Sequence, residues 1–274
     1  MIDLHLHTTA SDGRCTPAEL VERAARAGLT VMAVTDHDTT AAVDDVAAAG
    51  RVRGIEVVAG IEITAVENGR DVHVLGYFVN PADAQLSGFL ARQRAQRIER
   101  VTAVGDCLAR LGMPIDVAPL LAPAKADGGR SVGRPQVARA MIAAGYVADS
   151  NEAFDRWLAA GRPAFVPRAG AAPEEVIAIV HAAGGLVSLA HPGQTAVDAR
   201  ISEYARAGLD ALEVFHPDHD PASTKRYREL ASSLKLLVTG GSDFHGDPSH
   251  GWEPGAVTLP ADAWRRLRDA APHA

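Results

Sequence analysis

The sequence has few cysteines, no long apolar run and no excess of positive charge, and each absence removes a class of protein. The two cysteines, Cys15 and Cys107, form neither a disulfide framework nor a metal-binding pair, which is typical of a reducing compartment. No apolar run approaches the roughly 20 residues that a membrane-spanning helix needs. The formal net charge of -7 provides no overall basic field that would attract nucleic acid.

The amino-terminal segment MIDLHLHTTASDG has no basic start, no apolar core and no small-residue cleavage pattern, so we expect no secretory signal. We therefore expect a cytoplasmic protein that acts without a membrane or an obligatory protein partner. The 274 residues, 47% of them hydrophobic, suffice for one large domain or for a domain that carries an insertion.

Short apolar runs alternate with helical stretches, which predicts an α/β protein with a mainly parallel sheet. The predicted strands are residues 2–6, 30–35, 56–61, 71–78, 186–190, 211–215 and 236–239. No strand is predicted between about residues 84 and 163, where a long helix carries Arg92, Arg94, Arg97 and Arg100 on an expected solvated face. We therefore predict a barrel formed by residues 1–83 and 164–274, with an inserted helical subdomain at residues 84–163.

Histidines and carboxylates follow most of the predicted strands, at the ends where α/β barrels assemble their active sites. These residues are His5, His7, Asp36, His37, Asp38, Glu62, His191, His216, His219, Asp243 and His245. Alternate residues of a strand face the same way, so His5 and His7 can bind one ion together, as can Asp243 and His245. His73 lies inside its own predicted strand.

Imidazole and carboxylate are the ligands that zinc, manganese and iron share. Thiolates are absent from the set, which argues against a structural zinc site. The donors also outnumber those that one tetrahedral ion needs, which predicts at least two ions. A hydroxide that bridges two such ions would be a strong nucleophile at neutral pH.

The stretches IDLHLHTTASDG, AVTDHDT, VVAGIEIT, VHVLGY, LVSLAHPG and TGGSDFHG resemble the polymerase-and-histidinol-phosphatase (PHP) superfamily, in family order and over nearly the whole chain. The nearest subgroup comprises small bacterial phosphoesterases that act on nucleotides or RNA ends. Their fold is a distorted seven-stranded TIM-like barrel with a small helical insert. The resemblance implies the metal ligands His5, His7, Asp12, His37, Glu62, His73, His191, Asp243 and His245. Some relatives have histidine where this chain has Asp12, so two or three divalent ions (Mn, Fe or Zn) are expected.

The candidate substrate contacts are Arg134, Arg139 and Arg162, which belong to the segments that resemble motifs of the insert. Arg134 is the first choice for a phosphate clamp, because guanidinium binds phosphate through two parallel hydrogen bonds. His216 and His219 are the candidates for protonating the leaving oxygen, and the resemblance favours His219. Asp36 or Asp38 is expected to orient a ligand imidazole from outside the metal shell.

We therefore expect metal-dependent hydrolysis of phosphate esters, with a nucleoside mono- or bisphosphate as the substrate. A 5′-to-3′ exoribonuclease acting on short RNAs is the main alternative, because it would use the same metal site. A non-catalytic metal-binding module and an amide hydrolase stay open, although the ligand set is complete and a lysine motif for a carboxylated bridge is absent. Histidinol phosphate is a less favoured substrate because of the arginine-bearing segments.

Overall fold

The computed structural model describes residues 1–126, 129–195, 197–247 and 252–272, so His250 and His273 lie outside the described part of the chain. Seven strands form one sheet, and their spatial order is their order in the chain. They are β1 (Ile2–Asp3), β2 (Val31–Val34), β3 (Glu56–Glu67), β4 (Arg70–Tyr77), β5 (Leu186–Leu189), β6 (Ala211–Phe215) and β7 (Leu237–Gly240). Leu6 and Phe244, which follow β1 and β7, pair in parallel. The last strand therefore meets the first, and the predicted distorted seven-stranded α/β barrel is confirmed.

One strand runs against its neighbours and distorts the barrel. β4 is antiparallel to both β3 and β5, whereas the other neighbouring pairs are parallel. Asn68 and Gly69 form the turn of the β3–β4 hairpin with φ angles of 51° and 76°, which asparagine and glycine adopt more readily than other residues. Because β4 is reversed, His73 enters the site from within its strand, opposite Thr64 of β3.

Helices cover the barrel and form the connection between β4 and β5. In chain order they are α1 (Pro17–Arg26), α2 (Val43–Arg53), α3 (Ala84–Arg110), α4 (Ala118–Ala126), α5 (Arg134–Ala143), α6 (Ser150–Ala153), α7 (Pro173–Ala182), α8 (Pro192–Thr195), α9 (Ile201–Arg206), α10 (Pro221–Leu234) and α11 (Ala261–Ala270). A π-helical turn, Phe154–Leu158, directly follows α6. None of the described helices combines the length and apolar character needed to cross a membrane.

Alternating side chains of a strand belong to different hydrophobic clusters, as β4 illustrates. Val72 and Val74 of β4 belong to the cluster that packs against α7, α9 and α10. Leu75 and Tyr77 of the same strand belong to the other cluster, which includes residues of α11. His73 shares the face of Leu75 and Tyr77, because successive strand residues point to opposite faces of the sheet.

The described residues between β4 and β5 form helices, turns and loops only, with a hydrophobic cluster of their own. Helix α4 was not predicted, because its sequence APLLAPAKA places Pro123 inside the helix. Leu121 and Ala124 of α4 are buried in this cluster, and their packing offsets the poor helix propensity. The predicted subdomain boundaries at residues 84 and 163 stay a prediction.

Candidate active site

The nine residues that the resemblance implies as metal ligands lie together at one mouth of the barrel, and we call them the nine-residue cluster. The rings of His7 and His245 stack with centroids 4.0 Å apart, although 238 positions separate the two in the chain. The ring of His73 lies 4.9 Å from that of His37 and 5.1 Å from that of His191. Parallel strands that end at one mouth account for this convergence, except at His73, which lies within the antiparallel strand β4.

Three groups of side chains within the nine-residue cluster could each hold a metal ion, with ligand atoms within 4.8 Å of one another. They are His7, Asp12, His37 and His245; His5, His7, Glu62 and Asp243; and His37, Glu62 and His73. Neighbouring groups share His7, His37 or Glu62, so the three positions adjoin. His191 lies beside the third group, with Nε2 3.1 Å from Glu62 Oε1.

Glu62 stands at the centre of the nine-residue cluster. Its Oε2 lies 3.3 Å from His5 Nε2 and from His7 Nε2, while its Oε1 lies 2.8 Å from His73 Nδ1. Burial alone would raise the pKa of Glu62, but the charges of His37, His73 and His5 hold it well below its usual range. Glu62 is therefore an ionised carboxylate with two oxygens that face different imidazoles, and such a group can bridge two cations.

The two other carboxylates of the cluster and the imidazole of His37 favour the protonation states that bind metal. Burial opposes ionisation of Asp12 and Asp243, but neighbouring histidines hold the pKa of both carboxyls well below the usual range. Burial lowers the pKa of His37 to about 3, so this imidazole is neutral at physiological pH. Ionised carboxylates and neutral imidazoles are the forms that coordinate a cation. Burial opposes protonation of His245, but Asp12 and Asp243 raise its pKa to about 10, and neighbouring carboxylates also raise the pKa of His5 and His73, so a metal ion would have to displace a proton from these rings.

Several buried polar atoms of the nine-residue cluster have no hydrogen-bond partner in the protein. They are Nδ1 and Nε2 of His7, Nδ1 of His37, Nδ1 of His191 and Oδ1 of Asp243. His7 Nε2 lies only 3.2 Å from Asp243 Oδ1, yet the two are not aligned for a hydrogen bond. Unpartnered buried polar atoms are costly and rare, and a cation bound between these atoms would satisfy them. The residues therefore fit the metal ions that the donor set implies.

Backbone strain accompanies the cluster. His191 and Asp243 adopt φ angles of 24° and 50°, and Asp38, which follows His37, has a φ of 52°. Residues other than glycine rarely adopt positive φ angles, and such backbone strain is often found at functional sites.

Glu213 of β6 orients two members of the cluster and was not singled out from the sequence. Its Oε1 accepts from His5 Nδ1 at 2.9 Å, and its Oε2 accepts from the backbone N–H of His191 at 2.7 Å. The first bond leaves the lone pair of His5 Nε2 directed toward Glu62 and Asp243. The available signal was a charged residue within the apolar strand sequence ALEVF.

The prediction that Asp36 or Asp38 orients a ligand imidazole is wrong, because neither carboxylate accepts a hydrogen bond from a histidine ring in the described part of the chain. Asp36 accepts from the N–H and hydroxyl of Thr8 at 2.8 and 2.6 Å, which fixes the loop that leads to Asp12. Asp38 accepts from Arg168 at 2.9 Å and from Arg97.

His216 and His219 have different surroundings. His216 lines a cavity of about 390 Å³ at the mouth of the barrel, which includes most of the nine-residue cluster and which we call the main cavity. The N–H of Asp218 donates to His216 Nδ1 at 3.1 Å, so the ring proton of the neutral imidazole is on Nε2, which lies 3.4 Å from Asp243 Oδ2. His219 donates from Nδ1 to the carbonyl of Val214 and accepts at Nε2 from the N–H of Gly193, and it does not line the cavity. Geometry therefore favours His216, not His219, as the group that faces a substrate.

A second cavity of about 180 Å³ adjoins the main cavity and shares Asp12, His37, His73, Pro135 and Phe154 with it. Four guanidinium groups line this cavity, which we call the arginine pocket: Arg97, Arg100, Arg134 and Arg168. The predicted solvated helix face is therefore wrong for Arg97 and Arg100, although Arg92 is exposed. Arg168 was missed, because only its buried ion pair with Asp38 distinguishes it from a surface arginine.

Two carboxylates balance part of the charge in the arginine pocket. Asp38 binds Arg97 and Arg168, and Asp71 accepts from Arg100 and from Arg134, each at 3.0 Å. Burial opposes ionisation of Asp71, but the two arginines hold its pKa at about 2. Burial and the neighbouring Arg100 lower the pKa of Arg134 to about 10, so its guanidinium stays charged at neutral pH. Asp12, which is also ionised, lines the same cavity, so four guanidinium groups stand against three carboxylates and leave the arginine pocket with a net positive charge.

The other two predicted substrate contacts lie elsewhere. Arg139 lines the main cavity, and its Nη1 donates to the carbonyl of Asp12 at 2.9 Å. Arg162 is exposed and lines neither the main cavity nor the arginine pocket, so the structure gives it no place in the site.

Known proteins resemble this chain in sequence and in structure. The model of the PHP domain family matches residues 3–127. A 5′-3′ exoribonuclease from Haemophilus influenzae is 35% identical over 89% of each chain. A 3′,5′-nucleoside bisphosphate phosphatase from Chromobacterium violaceum is 31% identical over 97% of this chain and 96% of its own. A crystal structure from Bifidobacterium adolescentis, provisionally classed as a metal-dependent phosphoesterase, superposes with a TM-score of 0.88 at 35% identity, over 97% of this chain and 94% of the other.

The similarity extends over nearly the full length of these relatives, and it includes the strands and loops that carry the nine-residue cluster. Their names describe hydrolysis of phosphate esters, which agrees with a site rich in metal-type ligands. The chain therefore belongs to the PHP family of metal-dependent phosphoesterases.

Proposed function

We propose that the protein is a phosphatase that acts on nucleoside mono- or bisphosphates, with two or three divalent ions held by the nine-residue cluster. The observation that supports this proposal is the arginine pocket directly beside the cluster. One phosphate of a substrate would lie at the cluster, while a second would lie among the four arginines.

The charge and size of the arginine pocket suit one phosphate group. A phosphate monoester carries close to two negative charges at neutral pH, and the arginine pocket has a net positive charge that would attract it. Nη2 of Arg100 and Nε of Arg168 are buried without a hydrogen-bond partner in the protein. The volume of about 180 Å³ is small beside the ~300 Å³ at which ligand pockets usually begin, so the pocket suits a single substituent, not a whole nucleotide.

The cluster fits manganese, iron or zinc, because its donors are imidazole nitrogens and carboxylate oxygens without thiolates. Its three overlapping ligand groups support two or three ions. Such cations, when bound, supply Lewis-acid activation of water and of the phosphoryl group.

The protein's own side chains bind, orient and stabilise the substrate. Arg134 holds the second phosphate through its guanidinium fork. His216 lines the main cavity, and its Nε2–H would exchange the 3.4 Å bond to Asp243 Oδ2 for a hydrogen bond to the leaving oxygen. The N–H of Asp218 at Nδ1 keeps this tautomer, because protonation of Nδ1 would break that bond.

The test is phosphate release by purified, manganese-loaded protein from a panel of nucleoside 3′-, 5′- and 3′,5′-(bis)phosphates. We expect turnover, with kcat/KM highest for bisphosphates, and loss of turnover after chelation with recovery on adding metal. No release above the chelated control from any member of the panel would refute the proposal.

A 5′-to-3′ exoribonuclease is the second candidate, and the similarity to the Haemophilus influenzae enzyme favours it. This activity would need a basic path that follows an RNA chain. The arginine pocket is confined, and the main cavity is lined by Asp155, Asp218 and Asp247 in addition to Arg14 and Arg139. Short RNAs carrying a 3′ label distinguish the two activities, since trimming shortens the labelled product step by step whereas terminal dephosphorylation leaves its length unchanged.

A further inference from the structure

The main cavity continues beyond the nine-residue cluster to a rim that contains two aromatic rings, Phe154 and Trp252. Trp252 is 43% exposed and is one of four large hydrophobic side chains exposed in the described part of the chain. Phe154 is half-buried and lines both the main cavity and the arginine pocket. An aromatic side chain left open at the rim of a polar cavity is available to a flat apolar ligand.

Local structure holds Phe154 at this rim. It begins the π-helical turn Phe154–Leu158, in which the N–H of Ala159 donates to the carbonyl of Phe154 at 3.0 Å. Such wide turns are rare and occur frequently at functional sites. The guanidinium of Arg134 lies 5.6 Å from the centre of the Phe154 ring, which fixes the ring beside the arginine pocket.

The charges around the rim disfavour a further phosphate there. Asp155 and Asp218 line the rim, and Asp218 accepts from the side chain of Gln194. Of the two arginines that line the main cavity, Arg14 forms an ion pair with Asp247 at 2.6 Å and Arg139 donates to the carbonyl of Asp12. An uncharged aromatic group therefore fits the rim better than an anion.

We propose that Phe154 and Trp252 form a stacking platform for the nucleobase of the substrate. The inference rests on the proposed function, because it assumes a nucleotide with phosphates at the cluster and in the arginine pocket. The main cavity of about 390 Å³ falls within the usual size range of sites for small organic ligands. Base–aromatic stacking accepts every base, so the platform would distinguish nucleotides from other phosphate esters without selecting one base.

The experiment compares two substrates that differ only in the base: adenosine 3′,5′-bisphosphate and 1-deoxyribose 3,5-bisphosphate, in which hydrogen replaces the base. The preference is the ratio of their kcat/KM values. We expect wild-type protein to favour the base-bearing substrate by about 5- to 150-fold, the range that corresponds to stacking of one base. Phe154→Leu and Trp252→Leu should each reduce this preference, the double variant should bring it close to one, and Trp252→Phe should restore most of it.

Phe165→Leu is the matched control. The guanidinium of Arg134 lies 5.9 Å from the centre of the Phe165 ring, close to its distance from the Phe154 ring. Phe165, however, lines neither the main cavity nor the arginine pocket. This variant loses an aromatic contact of Arg134, so its kcat/KM should change by the same factor for both substrates and leave the preference intact.

The outcomes separate the inference from the proposed function. Turnover of neither substrate by wild-type protein would refute the phosphatase activity on nucleotides. Turnover of both with no preference, or a preference that survives in the double variant, would overturn the stacking platform alone. Trp252→Leu keeps the test decisive if Phe154→Leu does not fold, because the Trp252 ring is on the surface.

Discussion

Replacing Arg134 with alanine tests the arginine pocket directly. Nη2 of Arg134 donates to Asp71 at 3.0 Å, and Nη1 donates to the carbonyl of Leu158 at 3.2 Å. Asp71 keeps Arg100 as a partner in the variant, so no carboxylate is left unpaired. The substitution therefore removes a phosphate ligand from the arginine pocket and leaves the nine-residue cluster unchanged.

The expected size of the effect follows from the hydrogen bonds lost. Each bond between charged groups contributes about 1.5–3 kcal/mol, so loss of a two-bond clamp costs about 3 kcal/mol once solvation of the free phosphate is considered. At ~1.4 kcal/mol for each factor of ten, kcat/KM for a 3′,5′-bisphosphate falls about 100-fold. A monophosphate that places nothing in the arginine pocket loses less than about threefold, because it makes no bond to Arg134.

The assay measures both substrates with wild-type protein, Arg134→Ala, Arg134→Lys and Arg162→Ala, together with bound metal. Lysine keeps the charge but not the planar fork, so Arg134→Lys recovers only part of the loss. Arg162→Ala removes an exposed arginine and should match wild type. An equal loss on both substrates, or a loss of bound metal in Arg134→Ala, would refute the assignment of the arginine pocket to a second phosphate.

Three further predictions concern the groups around the pocket and the cluster. Glu213→Gln should weaken metal binding about 10- to 100-fold in a competition titration, because Glu213 orients His5 and His191, whereas exposed Glu229→Gln should not. Asp71→Asn should lower the free energy of unfolding by about 2 kcal/mol at pH 6, because two arginines hold the pKa of Asp71 at about 2 against 3.8 in the unfolded chain. The ionised form is the stabilising one, so this difference should shrink to roughly half at pH 3 in denaturant titrations, and a difference independent of pH would contradict it. His216→Ala should lower kcat about 100-fold for a nucleotide but far less for p-nitrophenyl phosphate, whose leaving oxygen needs little stabilisation, with metal content unchanged. Equal losses on the two substrates would exclude the role at the leaving oxygen.

The convergence of the nine-residue cluster could be predicted because residues at the ends of different barrel strands meet at one mouth of the barrel. A histidine or carboxylate at the carboxyl end of a parallel strand lies at the same mouth as its equivalents on other strands. His5, His37 and His191 follow that rule. His73 does not, since its strand is antiparallel, and the family resemblance was needed to include it.

The arginines could not be placed in the same way. The sequence shows which residues share one face of α3, but not which face docks against the barrel. Arg97 and Arg100 are among charged neighbours, which is typical of a solvated surface, yet both face Asp38 or Asp71 across the interface. A buried ion pair needs both partners to be known, and here the partners are 59 and 29 positions apart in the chain.

The choice between His216 and His219 also depended on a structural detail that the sequence does not show. Both follow β6 within four residues, so sequence spacing places both near the site. The turn that follows β6 directs His219 back toward the carbonyl of Val214, where backbone groups occupy both of its ring nitrogens. Only the path of the main chain decides which ring faces the main cavity.

The two centres of the proposed site are joined through the chain itself. Asp38 directly follows His37, and Asp71 lies two residues before His73 on the same face of β4. Each carboxylate that holds the arginines is therefore carried by the same short segment as a histidine of the cluster. Arg97 and Arg100 come from α3 and Arg134 from α5, so the helices between β4 and β5 dock through the ion pairs that form the arginine pocket. A shift of those helices would therefore move the histidines as well, so the buried ion pairs couple the arginine pocket to the nine-residue cluster, which hydrophobic packing alone would not do.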